Sequence, residues 1–203
     1  MITQLVRDFL MLFVTVDPIA TVALFVPLTA AATAAEKKRI ALRSVATAGA
    51  VLLAFLIAGE LLLGGLGIRL VSFQLAGGII LFLLGLQMVF GSGIAEKNAA
   101  AEPHQDVAIF PLAMPAIASP GAIMAIVLLT DNHRQSFTQQ LLTAGVLLVV
   151  LLLTWIALLA ARHIYRVLGD TGASVLIRVM GLILAALATE QVVSGVEALL
   201  KRG

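Results

Sequence analysis

Polar residues are sparse along this chain. Between the places where they gather lie six solidly apolar runs, at about residues 9–31, 44–66, 70–91, 107–130, 141–161 and 174–198. A helix needs about 20 mostly apolar residues to cross the roughly 30 Å hydrocarbon core of a bilayer, and each run is that long. Strands of a membrane β-barrel would alternate polar and apolar positions in short segments, and these runs do not. The pattern predicts an all-α membrane protein with six transmembrane helices, a single integral membrane domain over residues 1–203. The longest connection, residues 92–106, carries Asn98, Pro103 and several alanines and reads as a loop, not a domain.

Composition agrees with this reading. Hydrophobic residues make up 61% of the chain and charged ones 12%, against about 25% charged in an ordinary soluble domain. The mean hydropathy is +1.11. The net charge of +2 is small and the basic residues form no nucleic-acid face. The cluster Lys37, Lys38, Arg39, Arg43 reads as a membrane-flanking anchor. With no cysteine in the chain, disulfides and Cys-based metal or redox chemistry are excluded. Residues 29–35 vaguely resemble a cleavage region. However, Arg7 is offset by Asp8, and Asp17-Pro18 interrupts the apolar run, so the first segment reads as a membrane helix and not as a leader.

Lys and Arg are commoner in cytoplasmic connections. The 1–2, 3–4 and 5–6 connections hold Lys37, Lys38, Arg39, Arg43, Lys97, Arg162, Arg166 and Arg178. The other side holds Arg7, Arg69, Arg134, Lys201 and Arg202. Both termini are therefore expected outside the cytoplasm.

The two halves of the chain resemble each other. Asp17-Pro18-Ile19-Ala20 lies on Ser119-Pro120-Gly121-Ala122, and Leu66-Gly67 on Leu168-Gly169 at the same offset. Gly77, Gln87 and Gly91 then match Gly181, Gln191 and Gly195 at an offset two residues larger. Halves of three helices each must face opposite ways, so the expected architecture is two inverted repeats, about residues 1–95 and 107–203, joined by a loop at about 96–106. Transporters built this way bind substrate near the midplane, at helices broken by Pro or Gly in corresponding positions. Pro18 and Pro120 form such a pair. Each removes a helical hydrogen bond and crowds the preceding turn, and freed backbone groups must face protein or a wet cavity. The first and fourth helices are expected to break there. A simple proline kink is the alternative.

Asp17 lies inside the first apolar run, where a charge costs about 2.5–3.5 kcal/mol on insertion scales. Beside Pro18 it also has the sequence of a helix start. A cap and an ion site are compatible, because a capped half-helix is what creates an exposed terminus. Thr21, Ser119 and Gly121 flank the two breaks. Gln87 and Gln191 stand at matched positions and suit either helix bridging or substrate contact. Glu190 lies within the sixth run, and its alternative is to snorkel to the interface. Glu60 reads as interfacial. His104, His133 and His163 have no ligand spacing, so no metal site is expected. No phosphate loop, serine elbow or metalloprotease helix is present, so neither a cofactor nor an enzyme is expected.

Several stretches together resemble the MarC family of bacterial inner-membrane proteins, over essentially the whole chain: Asp17-Pro18-Ile19, Ala58-Gly59-Glu60, Ala76-Gly77-Gly78-Ile79-Ile80-Leu81-Phe82, Pro111-Leu112-Ala113-Met114-Pro115 and Arg178-Val179-Met180-Gly181-Leu182-Ile183-Leu184. The resemblance implies a six-helix, multi-pass inner-membrane protein of the lysine-exporter-like superfamily, and a transporter of small neutral amino acids. The family pattern Asp-Pro-Ile/Leu-Gly-Asn is replaced here by Ala20 and Thr21 after Ile19, and its Gly-Pro by Ser119-Pro120. The expected function is secondary transport of a small polar metabolite coupled to Na+ or H+. The site would be formed by Asp17, Pro18, Thr21, Ser119, Pro120 and Gly121, with Gln87, Glu190 and Gln191. Expected partners are the lipid bilayer, the substrate and the ion, with no nucleic acid; an oligomer is compatible with the sequence. The alternative is a non-transporting membrane scaffold or assembly partner.

Overall fold

A computed structural model describes residues 2–91, 106–130 and 136–201, and these are helical almost throughout. Eight helical segments follow in order: α1 (Ile2–Val16), α2 (Pro18–Leu28), α3 (Ala34–Gly65), α4 (Leu70–Phe90), α5 (Ala108–Ile117), α6 (Pro120–Leu129), α7 (Phe137–Leu159) and α8 (Ala161–Leu200). Five stretches are long and apolar enough to cross a membrane: Ile2–Leu28, Ala34–Gly65, Leu70–Phe90, Thr138–Leu159 and Thr171–Leu200. The bent pair α5–α6, with 52° between its members, raises this to six if it is counted as one span. The chain is thus an all-helical membrane protein with five to six candidate spans.

Local chemistry sets several boundaries away from the sequence expectation. The first helix begins at Ile2, not near residue 9, and its second part ends at Leu28. The second begins at Ala34, not residue 44, because Thr33 and Glu36 form a reciprocal capping box that holds the first orphan N–H groups. At 32 residues, roughly 48 Å at 1.5 Å per residue, α3 is longer than the hydrocarbon needs. Its basic first turns, with Lys37, Lys38 and Arg39, can extend beyond it. Ser136 and Gln139 form a second capping box at the start of α7. The expected 5–6 connection is not a loop. It is the first part of α8, which turns at Gly169 (φ 62°, ψ 178°), a conformation only glycine adopts at low cost. Of the connection at 92–106, only Asp106 is among the described residues; Lys97, Asn98, Pro103 and His104 lie outside them, as do His133 and Arg134. Asp106 pairs with Arg43 of α3 at 2.8 Å.

Packing follows from apolar faces and small residues. α1 lies against α6, and α2 against α5. α7 flanks α1 and α2, while α3 flanks α5 and α6. α4 borders α6 and α8 borders α2. α3 meets α7, and α4 meets α8. The main core is formed by α1–α3 and α5–α7 through Leu12, Val16, Leu52, Leu112, Ile117, Ile126, Leu147 and Val150. The α4–α8 contact is nearly backbone on backbone. A Cβ at Gly85 would stand 2.7 Å from the Gly181 carbonyl oxygen, and one at Gly181 would stand 2.8 Å from that of Gly85.

Candidate functional site

The α1 ladder stops where Pro18 brings no N–H. The N–H of Asp17 still donates to Phe13 O at 3.0 Å. Asp17 itself turns left-handed (φ 47°, ψ 72°) and caps α2, its Oδ1 accepting the N–H of Ala20 at 3.0 Å. A non-glycine residue held there costs of order 1–3 kcal/mol, although Asp is among the most tolerant types. Thr21 folds back, donating its hydroxyl to the Asp17 carbonyl at 2.9 Å. Pro18 takes the first helical position of α2, where its missing donor costs nothing.

The fourth segment is interrupted more deeply. Phe110 (φ −127°, ψ 124°) and Met114 (φ −131°, ψ 128°) are extended inside α5, as expected for residues that precede Pro111 and Pro115. Ser119 then caps α6 as Asp17 caps α2, its hydroxyl oxygen accepting the N–H of Ala122 at 3.0 Å, with Pro120 at the first helical position. The same hydroxyl donates to the carbonyl of Thr15 at 3.0 Å. In an unbroken helix that carbonyl would accept from Ile19. One broken segment therefore supplies a donor that the other lost.

Asp17, Thr21 and Ser119 are all buried. Asp17 Oδ2 is buried with no hydrogen-bond partner, a condition that it shares among the described residues with Trp155 Nε1. A buried unpaired acceptor costs about 1–3 kcal/mol, more when charged. The cavity that touches this break has a volume of about 250 Å³ and is walled by apolar side chains, including Phe13, Pro18, Ile19, Val22, Leu153 and Ile177. A polar cavity was the expectation. Here the caps and back-bonds of Asp17, Thr21 and Ser119 absorb most of their own polarity.

The other expected residues go elsewhere. Gly121 lets α6 close on α4, since a side chain there would collide with Leu81. Gln87 is half-buried on α4, six residues beyond Leu81, roughly 9 Å along the helix. Gln191 bridges helices, but with Gln74, whose Nε2 donates to its Oε1 at 2.9 Å and to its carbonyl at 3.2 Å. Glu190 is exposed and accepts from the Ser194 hydroxyl at 3.3 Å. These three stand apart from the two breaks.

Sequence reasoning passed over Thr15, Gln74 and Asp8. Asp8 is buried in α1, its Oδ2 accepting the hydroxyl of buried Thr143 on α7 at 3.0 Å. It stands just before the apolar run at 9–31 and is read there only as offsetting Arg7; the helix that buries it begins earlier, at Ile2.

The family described as MarC family integral membrane protein matches residues 2–200. The chain belongs to the MarC family. A UPF0056 membrane protein of Methanocaldococcus jannaschii is 34% identical over 192 residues, 93% of each chain. One from Aquifex aeolicus is 32% identical over 201 residues, 97% of this chain and 94% of that one. The UPF0056 inner membrane protein YhgN of Escherichia coli K12 is 30% identical over 203 residues, 98% of each. No solved structure matches the chain. The MarC relatives' names give a membrane setting and no substrate.

Proposed function

We propose that this MarC-family chain is a secondary transporter that moves a small polar metabolite, such as a small neutral amino acid, by coupling it to a proton bound at Asp17. The observation that carries this reading is the buried, unpartnered Oδ2 of Asp17 at the break between α1 and α2. An acid inside a membrane segment is costly and marks ion or substrate pathways by default. The α2 and α6 N-termini, with their positive dipole ends, meet at this level and favour an anionic group there. A proton needs one acceptor, which Oδ2 provides. Na+ needs several oxygens at once, and the cavity at this break is walled by apolar side chains.

The architecture we propose is six crossings in two inverted halves, broken at Asp17-Pro18 and Ser119-Pro120. Exchanging α1 with α5, α2 with α6, α3 with α7 and α4 with α8 converts each main helix pairing into another that is present. The matched glycines Gly67 and Gly169 both have positive φ, 68° and 62°. α5 lies along α2 and α6 along α1, which supports counting the bent pair as a crossing. Location in the inner membrane is proposed from the name of YhgN, and external termini from the basic first turns of α3.

The test is uptake by the purified protein in liposomes, with a panel of small neutral amino acids and an imposed pH or Na+ gradient. Accumulation driven by pH, and lost in Asp17→Asn, is the expected result. Gradient-independent silence across the panel, with no thermal shift from any member, would favour the scaffold.

A further inference from the structure

Asp8 is the second acid buried inside the first membrane segment, 4% exposed, and the site described above makes no use of it. It lies nine residues before Asp17 on α1, roughly 13.5 Å along the helix. That places it toward one boundary of the membrane when Asp17 is near the middle. Thr143, its partner, is on α7. α7 runs parallel to α1 from there, because Leu153 and Ala157 reach the same cavity as Pro18 and Val22. Polar groups gather at this end of the bundle. The hydroxyl of Thr130, at the end of α6, is buried, and the Thr130 carbonyl accepts from Gln140 Nε2 at 3.2 Å. Between this end and Asp17 the buried side chains are mainly apolar, and the hydroxyl of buried Thr15 is folded back on the Met11 carbonyl at 2.8 Å. Leu12 and Val16 on α1, Leu147 and Val150 on α7, and Ile126 on α6 are all fully buried in one cluster.

We propose that Asp8 is the proton-receiving carboxylate on the N-terminal face, and that the apolar layer of Leu12, Val16, Leu147, Val150 and Ile126 is a closed gate between it and Asp17. This rests on the transport reading above. A proton from water at that face binds the Asp8 carboxylate. When the layer parts, water links the two acids, the proton passes to Asp17, and Asp8 returns to its anion. The described residues of α6 and α7 bring no charged side chain to Asp8; on α1 itself the adjacent charge is Arg7, which is exposed. A structural clamp between α1 and α7 needs only the Thr143 hydrogen bond. A receiving acid also needs to exchange its proton with water.

The experiment follows protonation of Asp17 in the full chain in liposomes, by the infrared carboxylic band that Asp17→Asn removes, after a rapid drop of external pH. Asp8→Asn keeps a group able to accept from Thr143 and loses the titratable proton. In molecules with the N-terminal face outward, it should slow Asp17 protonation at least tenfold, and Asp8→Glu should restore the rate. Leu147→Ala, which thins the gate, should raise it. A merely structural role predicts no such opposition between two destabilising changes. Wild-type kinetics in folded Asp8→Asn would overturn the proposal and leave the transport reading standing. A wild-type chain in which Asp17 never protonates would overturn both.

Discussion

The hydroxyl of Ser119 donates to the carbonyl of Thr15 at 3.0 Å, so one broken segment helps complete the other. The bond spans 104 residues of sequence and ties the end of α1 to the start of α6. It also aligns the N-termini of α2 and α6, since Ser119 caps α6 with the same oxygen and Asp17 caps α2.

Ser119 therefore serves two bonds through one oxygen, and removing that oxygen removes both. Ser119→Gly loses both with the hydroxyl, but glycine replaces a capping serine at a cost of a few tenths of a kcal/mol, so the loss felt is mainly that of the Thr15 bond. Ser119→Ala loses the same two bonds and puts a poorer capping residue in place, adding about 1 kcal/mol. Thermal unfolding of purified protein should rank wild type above Ser119→Gly above Ser119→Ala. Equal midpoints for the two variants would remove the capping role.

Asp17→Asn is the sharpest change at the break. Asn tolerates the left-handed backbone and caps helices as well as Asp, so the variant should fold, insert and keep a midpoint near that of wild type. Coupled uptake should vanish. Asp17→Ala should in addition cost about 0.5–2 kcal/mol for the missing cap and more for the strained backbone. Retained pH-driven accumulation in Asp17→Asn would take Asp17 out of the coupling mechanism.

The α4–α8 contact makes a packing prediction that is independent of transport. A side chain at Gly85 would meet the Gly181 backbone at 2.7 Å, and a backbone cannot swing aside as a side-chain tip can. Gly85→Val should destabilise by roughly 1–3 kcal/mol or more and lower yield from the membrane. Gly145→Ala on α7, where a Cβ meets nothing within 4 Å, should be neutral or stabilising by up to about 1 kcal/mol. Similar midpoints for the two would mean that the helices sit farther apart.

How much of this could be read beforehand depends on whether the determinant was local. Apolar runs located the helices, since a span is a local property. Asp17-Pro18 and Ser119-Pro120 were legible as helix starts because a cap and a first-position proline occupy adjacent residues. The Thr33–Glu36 and Ser136–Gln139 boxes were equally local but were overlooked, which put two helix starts too late. The partners were not legible. Nothing in sequence says that Gln191 meets Gln74 and not Gln87, or that Asp8 meets Thr143 across 135 residues. Those pairings depend on which helix faces come together. Glu190 shows the same limit: its acid is plain in the sequence, but the helix turns it outward.

Topology gives the last prediction, and the chain is suited to it because it has no cysteine. Single cysteines at exposed positions can then be probed with an impermeant maleimide on intact cells. With the basic turns of α3 inside, Ala35→Cys should label only after permeabilisation, and Ile68→Cys, beyond the other end of α3, should label from outside. The sharper pair is Thr3→Cys and Lys201→Cys. If α5–α6 crosses the membrane, the chain crosses six times and both ends should label from the same side. If the 52° bend instead returns the pair to the face it came from, the count falls to five and the two ends must differ. An odd count would also undo the inverted repeat, because the second half would then hold two crossings and could not be the first half turned over. Opposite labelling of Thr3→Cys and Lys201→Cys would thus overturn the architecture on which the meeting of α2 and α6 depends, whatever the protein carries.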